Sequence, residues 1–169
     1  MKKSESVIFL VAMLLFAFFG FDCHRWGLVS GCRILNHLTY SFVHANIWHL
    51  ACNAYCMLAI MWTTGYRWKW LTALVIAVAV SFLAPCHTLT AGFSGVLFAL
   101  VGITLAHGRL TLRRCLPVAI SLAVSVILAR NIAAGIHIMT FIIGFVTESL
   151  VEAYKELKKD SDILNGSSC

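Results

Sequence analysis

Gly92-Phe93-Ser94-Gly95 opens the apolar run 93–107, which stops before Gly108. Whether that run crosses a bilayer decides the fold. A helix rises about 1.5 Å per residue, so about 20 residues are needed to cross the hydrocarbon. The run is short by that measure. Either it stands nearly upright in a thinned bilayer, or it starts below the membrane surface. A helix that starts inside the membrane leaves its first N–H groups without intrahelical partners. Such groups are tolerated only where the backbone lines protein or a water-filled cavity. The residues at that point are a serine with glycines around it, so length and motif point to the same spot.

Five further apolar segments flank this one, at about 6–22, 40–63, 69–85, 115–130 and 134–153. They predict an all-α membrane protein, a bundle of six transmembrane helices forming one unit over 1–153. A short charged tail follows over 154–169, and its end, Asn165-Gly166-Ser167-Ser168-Cys169, is expected to be disordered. Met1-Lys2-Lys3 before the first apolar run resembles a secretory leader, but no small-residue cleavage site follows Phe21, so the run is read as a retained helix.

Composition agrees. The chain is 60% hydrophobic and 12% charged, with a mean hydropathy of +0.88. A soluble domain is nearer 25% charged. There are too few polar residues here to cover a water-facing surface. The net charge of +6 does not indicate nucleic acid, because the basic residues cluster at the ends of apolar runs. With the N-terminus inside, Lys2, Lys3, Arg67, Lys69, Arg109, Arg113, Arg114, Lys155, Lys158 and Lys159 fall on the cytoplasmic side. Arg25, Arg33 and Arg130 fall outside. That split predicts both termini in the cytoplasm. The seven cysteines contain no Cys-x-x-Cys pair, which argues against a zinc or thioredoxin-like motif. Cys23, Cys32 and Cys86 share the outer side, either as free thiols or with two of them bridged. Cys52 and Cys56 read as small packing residues.

Polar residues are costly inside a spanning segment and are kept where they face a cavity or one another. They gather in three places, all at the outer ends of their segments. In His44-Ala45-Asn46-Ile47-Trp48-His49-Leu50-Ala51-Cys52-Asn53, His49 and Asn53 share a helix face and donate hydrogen bonds without charge. That suits stabilisation of an oxyanion, and equally suits polar glue between helices. Ser94 occupies the first turn of its helix, where free N–H groups and the helix dipole favour negative charge. His137 lies on one face with Thr140 and Gly144, while the serine helix carries Gly95, Ala99 and Gly102. Packing these small-residue faces together brings His137 to Ser94, where a neutral imidazole can take the serine proton. No acid lies at that depth. Glu148 is about three turns deeper, so a dyad is expected rather than a triad. There is neither a His-Glu-x-x-His motif nor a pair of membrane aspartates, which removes zinc and aspartyl proteases.

At these residues the chain resembles the rhomboid family of intramembrane serine proteases. The stretch Leu38 to Asn53 is similar to the family's His-x-x-x-x-His-x-x-x-Asn signature. Gly92-Phe93-Ser94-Gly95 is similar to its Gly-x-Ser-Gly, and His137 with Gly144 to part of its sixth-helix pattern. The resemblance covers about residues 33–148. It implies Ser94 as nucleophile, His137 as base, and His49, Asn53 and the Ser94 N–H as oxyanion hole. His44, Gly92, Gly95 and Gly144 would be supporting residues. It implies no metal or organic cofactor. The substrates it implies are single-pass transmembrane proteins that enter laterally from the lipid bilayer and are cut near the outer face, with the fifth helix and the loop before Ser94 as gate and cap. The minimal six-helix form resembles bacterial members of an inner membrane. The departures are Thr140 where the family has glycine, Ile136 before the histidine where it has alanine, and Arg25-Trp26 in reversed order.

Two other classes share these features. One is an inactive rhomboid-like protein that binds transmembrane segments; retention of Ser94, His137, His49 and Asn53 argues against it. The other is a small transporter using the same polar cluster, weakened by the lack of membrane carboxylates and of a repeat.

Overall fold

The computed structural model describes residues 22–64, 69–83, 89–108 and 133–166. The first and fifth predicted segments lie outside these, as do Cys86, Cys115, Cys169 and most of the basic residues used to orient the chain. Six helices are described: α1 (Cys23–Trp26), α2 (Ile34–Thr39), α3 (Ile47–Thr64), α4 (Lys69–Leu83), α5 (Ser94–Ala106) and α6 (Ala133–Gly166). No strand occurs among the described residues. The one β-type pairing there is an isolated antiparallel bridge between Leu28 and Thr90.

The helix carrying the glycine-serine motif is the centre of the bundle. Every residue of α5 from Gly95 to Thr104 is buried. A helix that is apolar all round belongs inside a protein or a membrane, and α5 is packed by α4 on one side and α6 on another. Small residues permit the second contact. A Cβ at Gly102 would collide with the Phe141 carbonyl oxygen, and a Cβ at Gly144 with the Ala99 backbone. Both glycines let the two backbones touch, as in membrane helix pairs. The Gly144 contact predicted from sequence is therefore present, with Ala99 opposite it, and Gly102 faces Phe141 and Phe145 beside it.

Helix α5 spans 13 residues, about 20 Å at the α-helical rise. It is one of three short apolar helical stretches, with Ile47–Ile60 and Lys69–Leu83. Only Ala134–Ile163 is long and apolar enough to cross a membrane among the described residues. Outward-facing side chains along these helices include Tyr55, Val75, Phe82, Leu83, Ile142 and Leu150, all exposed. An apolar exterior of this kind suits lipid rather than water.

Two boundaries differ from the sequence reading. The helix in the predicted segment 40–63 starts late: residues 40–46 form a loop after α2, and α3 begins at Ile47. The cause is Asn46, whose side-chain oxygen accepts the His49 N–H at 2.9 Å and caps α3. The last helix runs on through the charged tail to Gly166, so Asn165 and Gly166 are helical rather than disordered. The tail lacks proline and glycine before Gly166, and a Glu152–Lys155 pair at 2.7 Å ties its start to the turn before it.

The segment before α3 is tied to the bundle by polar side chains. Asn36 is buried and donates to the carbonyls of Gly27 at 2.7 Å and Arg25 at 3.0 Å. Thr39 donates to Trp26 O at 2.9 Å. Tyr40 donates from its hydroxyl to Ala77 O at 3.0 Å, which fixes the loop against α4. Its carbonyl accepts the Gly92 N–H at 2.9 Å. The Leu28–Thr90 bridge adds two bonds of 2.8 Å between the loop after α1 and the loop before Ser94. Cys23 and Cys32 are free thiols.

Candidate active site

Ser94 is the first residue of α5, and His137 lies in the second turn of α6. The glycine contacts that pull the two helices together set the distance between them. His137 Nε2 lies 2.7 Å from Ser94 Oγ. Ser94 is half-buried and His137 is buried. A serine hydroxyl at this distance donates its proton to an imidazole nitrogen that carries none. The other ring nitrogen, Nδ1, then bears the hydrogen, and it is buried without a hydrogen-bond partner among the described residues. No carboxylate therefore orients this ring from the described chain. Packing does so instead: the Phe98 ring sits against the imidazole, with centroids 4.4 Å apart and planes at 41°. The sequence reading missed Phe98. The signal was available, because Phe98 is one helical turn beyond Ser94 on the same face.

The loop that delivers Ser94 is held in an unusual backbone shape. Gly92 has φ +125°, a region closed to side chains with a Cβ. A Cβ there would also fall 2.5 Å from His49 Cε1 and 2.8 Å from His49 Nε2, with Asn53 Nδ2 at 3.5 Å. Gly92 is thus required twice, by its backbone and by the close approach of His49 and Asn53. Gly95 is less constrained, since a Cβ there would meet Ile136 and the Tyr40 hydroxyl at 3.4 Å.

His49 and Asn53 project from the first two turns of α3 toward this loop. Asn53 is buried, and its Nδ2 has no hydrogen-bond partner among the described residues. A buried amide donor left unpaired costs about 1–3 kcal/mol, so the donor is available to an oxygen that enters the site. His44 lies in the loop before α3. Its Nε2 accepts the Phe93 N–H at 3.4 Å, and its Nδ1 therefore donates to Phe42 O at 3.1 Å. Its ring also packs edge-on against His49, at 5.2 Å and 71°. His44 thus braces both the turn before Ser94 and the His49 ring.

All eight residues singled out from sequence are in the described structure. Ser94 and His137 are in contact. His49, Asn53 and Gly92 gather beside the Ser94 turn, His44 stands behind them, and Gly95 and Gly144 line the helix contacts. The Rhomboid domain model matches residues 31–153.

The chain belongs to the rhomboid family.

That family consists generally of intramembrane serine proteases, and membership together with the all-helical fold makes this an α-helical membrane protein. A comparison with curated proteins finds no match. The departures from the usual rhomboid pattern can now be placed. Thr140 is buried on α6, and its hydroxyl donates to the His137 carbonyl at 3.0 Å. The added side chain is satisfied within its own helix and leaves the Ser94–His137 distance short. Ile136 packs its methyl near Gly95. The Arg25 guanidinium stacks over the Trp26 ring, 4.9 Å from its centroid. Within this rhomboid, Glu148 stands with Lys69 at the opposite end of the α5–α6 pair, as its spacing from His137 implied.

Proposed function

We propose that this rhomboid is an intramembrane serine endopeptidase working by a Ser94–His137 dyad. The observation that carries the reading is the 2.7 Å contact between Ser94 Oγ and His137 Nε2. In the reaction, His137 Nε2 takes the Ser94 proton as Oγ attacks a peptide carbonyl carbon. The resulting oxyanion lies among the Ser94 N–H, Asn53 Nδ2 and the His49 imidazole. Imidazolium Nε2–H then protonates the leaving amine, and the C–N bond breaks to give an acyl-enzyme. Water, deprotonated by the same imidazole, attacks the ester and restores Ser94. Base catalysis of this type contributes about 10²–10⁴-fold, and each oxyanion donor about 10²–10³-fold.

The proposed substrates are single-pass transmembrane proteins entering from the bilayer and cut near the outer face. The proposed frame is six spans with both termini cytoplasmic, in a bacterial inner membrane. The basic residues at segment ends support that orientation.

A fluorophosphonate probe on the detergent-solubilised protein tests the chemistry. The expected result is covalent labelling that Ser94→Ala and His137→Ala both abolish. Wild-type labelling no greater than the Ser94→Ala background would overturn the protease reading and favour a helix-binding protein without catalysis.

A further inference from the structure

The other end of the α5–α6 pair carries a second polar cluster that the proteolytic chemistry does not use. Gly108, at φ +65°, follows the last turn of α5. A left-handed glycine there ends the helix and leaves His107 as its C-cap, beside α6. On α6, Glu148 and Glu152 are four residues apart and share a face. His107 Nδ1 lies 3.2 Å from Glu152 Oε1 and 3.6 Å from Glu148 Oε1. One ligand atom from each of the three residues lies within 4.8 Å of the others.

Glu148 is the informative member. Its side chain is 1% exposed. One carboxylate oxygen, Oε2, takes the Lys69 ammonium at 2.5 Å. The other, Oε1, is buried and has no hydrogen-bond partner among the described residues, while facing His107. A buried carboxylate oxygen without a donor is costly. A cation between the three side chains would give it one.

We propose that His107, Glu148 and Glu152 form a binding site for a divalent transition-metal ion of the zinc class. The spacing fits. Zinc–nitrogen and zinc–oxygen bonds of about 2.0–2.1 Å in a tetrahedron place neighbouring ligand atoms about 3.3 Å apart. Two of the three edges already stand at 3.2 and 3.6 Å. One imidazole with two carboxylates is a borderline donor set, suited to zinc more than to magnesium or calcium, which take oxygen alone. Three protein ligands leave a fourth position for water. Lys155, which holds Glu152 Oε1 at 2.7 Å, is 58% exposed and is displaced at little cost. Lys69 keeps Glu148 Oε2 and serves as the outer partner of a ligating carboxylate. The ion would join the C-cap of α5 to α6 at the end away from Ser94.

The test is direct titration of untagged, metal-stripped full-length protein in detergent with Zn²⁺ alone, read by calorimetry, with Co²⁺ as a visible-spectrum stand-in. One ion per chain is expected. His107→Ala and Glu152→Gln should each weaken binding by about tenfold or more. Lys155→Ala should tighten it, because the Glu152 carboxylate is released; a purely structural ion-pair network does not predict that gain. Glu152 and Lys155 lie on the rim, so these variants report even where Glu148→Gln fails to fold. Equal Zn²⁺ affinity in wild type and Glu152→Gln, or no Co²⁺ absorption bands in the wild type, would overturn the site. None of these readouts depends on proteolysis, so the metal and protease readings fail separately.

Discussion

At one end of the α5–α6 pair stand Ser94, His137, His49 and Asn53, polar groups without a carboxylate or an ammonium. At the other end stand Lys69, Glu148, Glu152 and Lys155, with His107 among them. Each cluster takes members from both helices of the same α5–α6 pair, joined by the same glycine contacts, with His49 and Asn53 added from α3 at one end and Lys69 from α4 at the other. The difference shows what each environment tolerates. A carboxylate beside His137 would be a permanent charge in a buried site, expensive unless fully paired. A serine–imidazole pair asks for no counter-ion, and the Phe98 ring supplies the orientation that an acid gives elsewhere. At the far end, charges are kept because opposite charges stand beside them: Lys69 pairs with the buried Glu148, and Lys155 with the half-buried Glu152.

The sharpest way to break the comparison is to remove the base from the uncharged end. His137→Ala is expected to lower cleavage of a fluorescent transmembrane reporter by at least about 10³-fold. Retained cleavage would mean that the proton goes elsewhere. Asn53→Ala should cost about 10²–10³ in kcat with little change in KM, since its donor meets an oxygen only as charge develops. A loss confined to KM would assign Asn53 to substrate binding instead. Gly144→Val tests the contact that both ends share. Forcing a side chain against the Ala99 backbone should cost about 2–3 kcal/mol of stability in a detergent unfolding assay and weaken activity with it. Glu148→Gln should separate the ends: about 1–3 kcal/mol of stability lost through the Lys69 pair, with reporter cleavage within about tenfold of wild type. The smallest effect is expected from Thr140→Gly, which restores the usual family residue. It should cost about 1 kcal/mol through helix propensity and leave the cleavage rate close to unchanged. A large gain in rate would show that Thr140 does hold the dyad apart.

Much of the site was legible because its signals are local. His49 and Asn53 share a face by spacing alone, and the shortness of the run after Gly92 placed Ser94 at a helix start. The meeting of His137 with Ser94 was legible through the small residues Gly102 and Gly144, which leave backbone contact as the natural packing. The Asn46 cap was not read, because apolar residues on both sides of it hid the late start of α3. The partners of His44 were not legible, since they are backbone groups at Phe42 and Phe93 whose positions depend on tertiary folding. The brace from Tyr40 to α4 and the Leu28–Thr90 bridge join residues far apart in sequence, and no periodicity announces such pairings. The ionic cluster was missed in part for the opposite reason: its residues look like ordinary helix-end charges until Glu148 is seen to be buried.

The length of α6 has a mechanical consequence. One of its closest contacts with α5 is at Gly144, against the Ala99 backbone. Measured along the axis at about 1.5 Å per residue, His137 is about 10 Å from that fulcrum on one side. The end of the helix at Gly166 is about 33 Å away on the other. Such a rod is a lever with a ratio of roughly three to one. A sideways push of about 3 Å on the charged end would move the imidazole by about 1 Å, a misplacement that can cost a catalytic site about a hundredfold. Whatever grips the tail therefore has a hand on Ser94's partner without touching it.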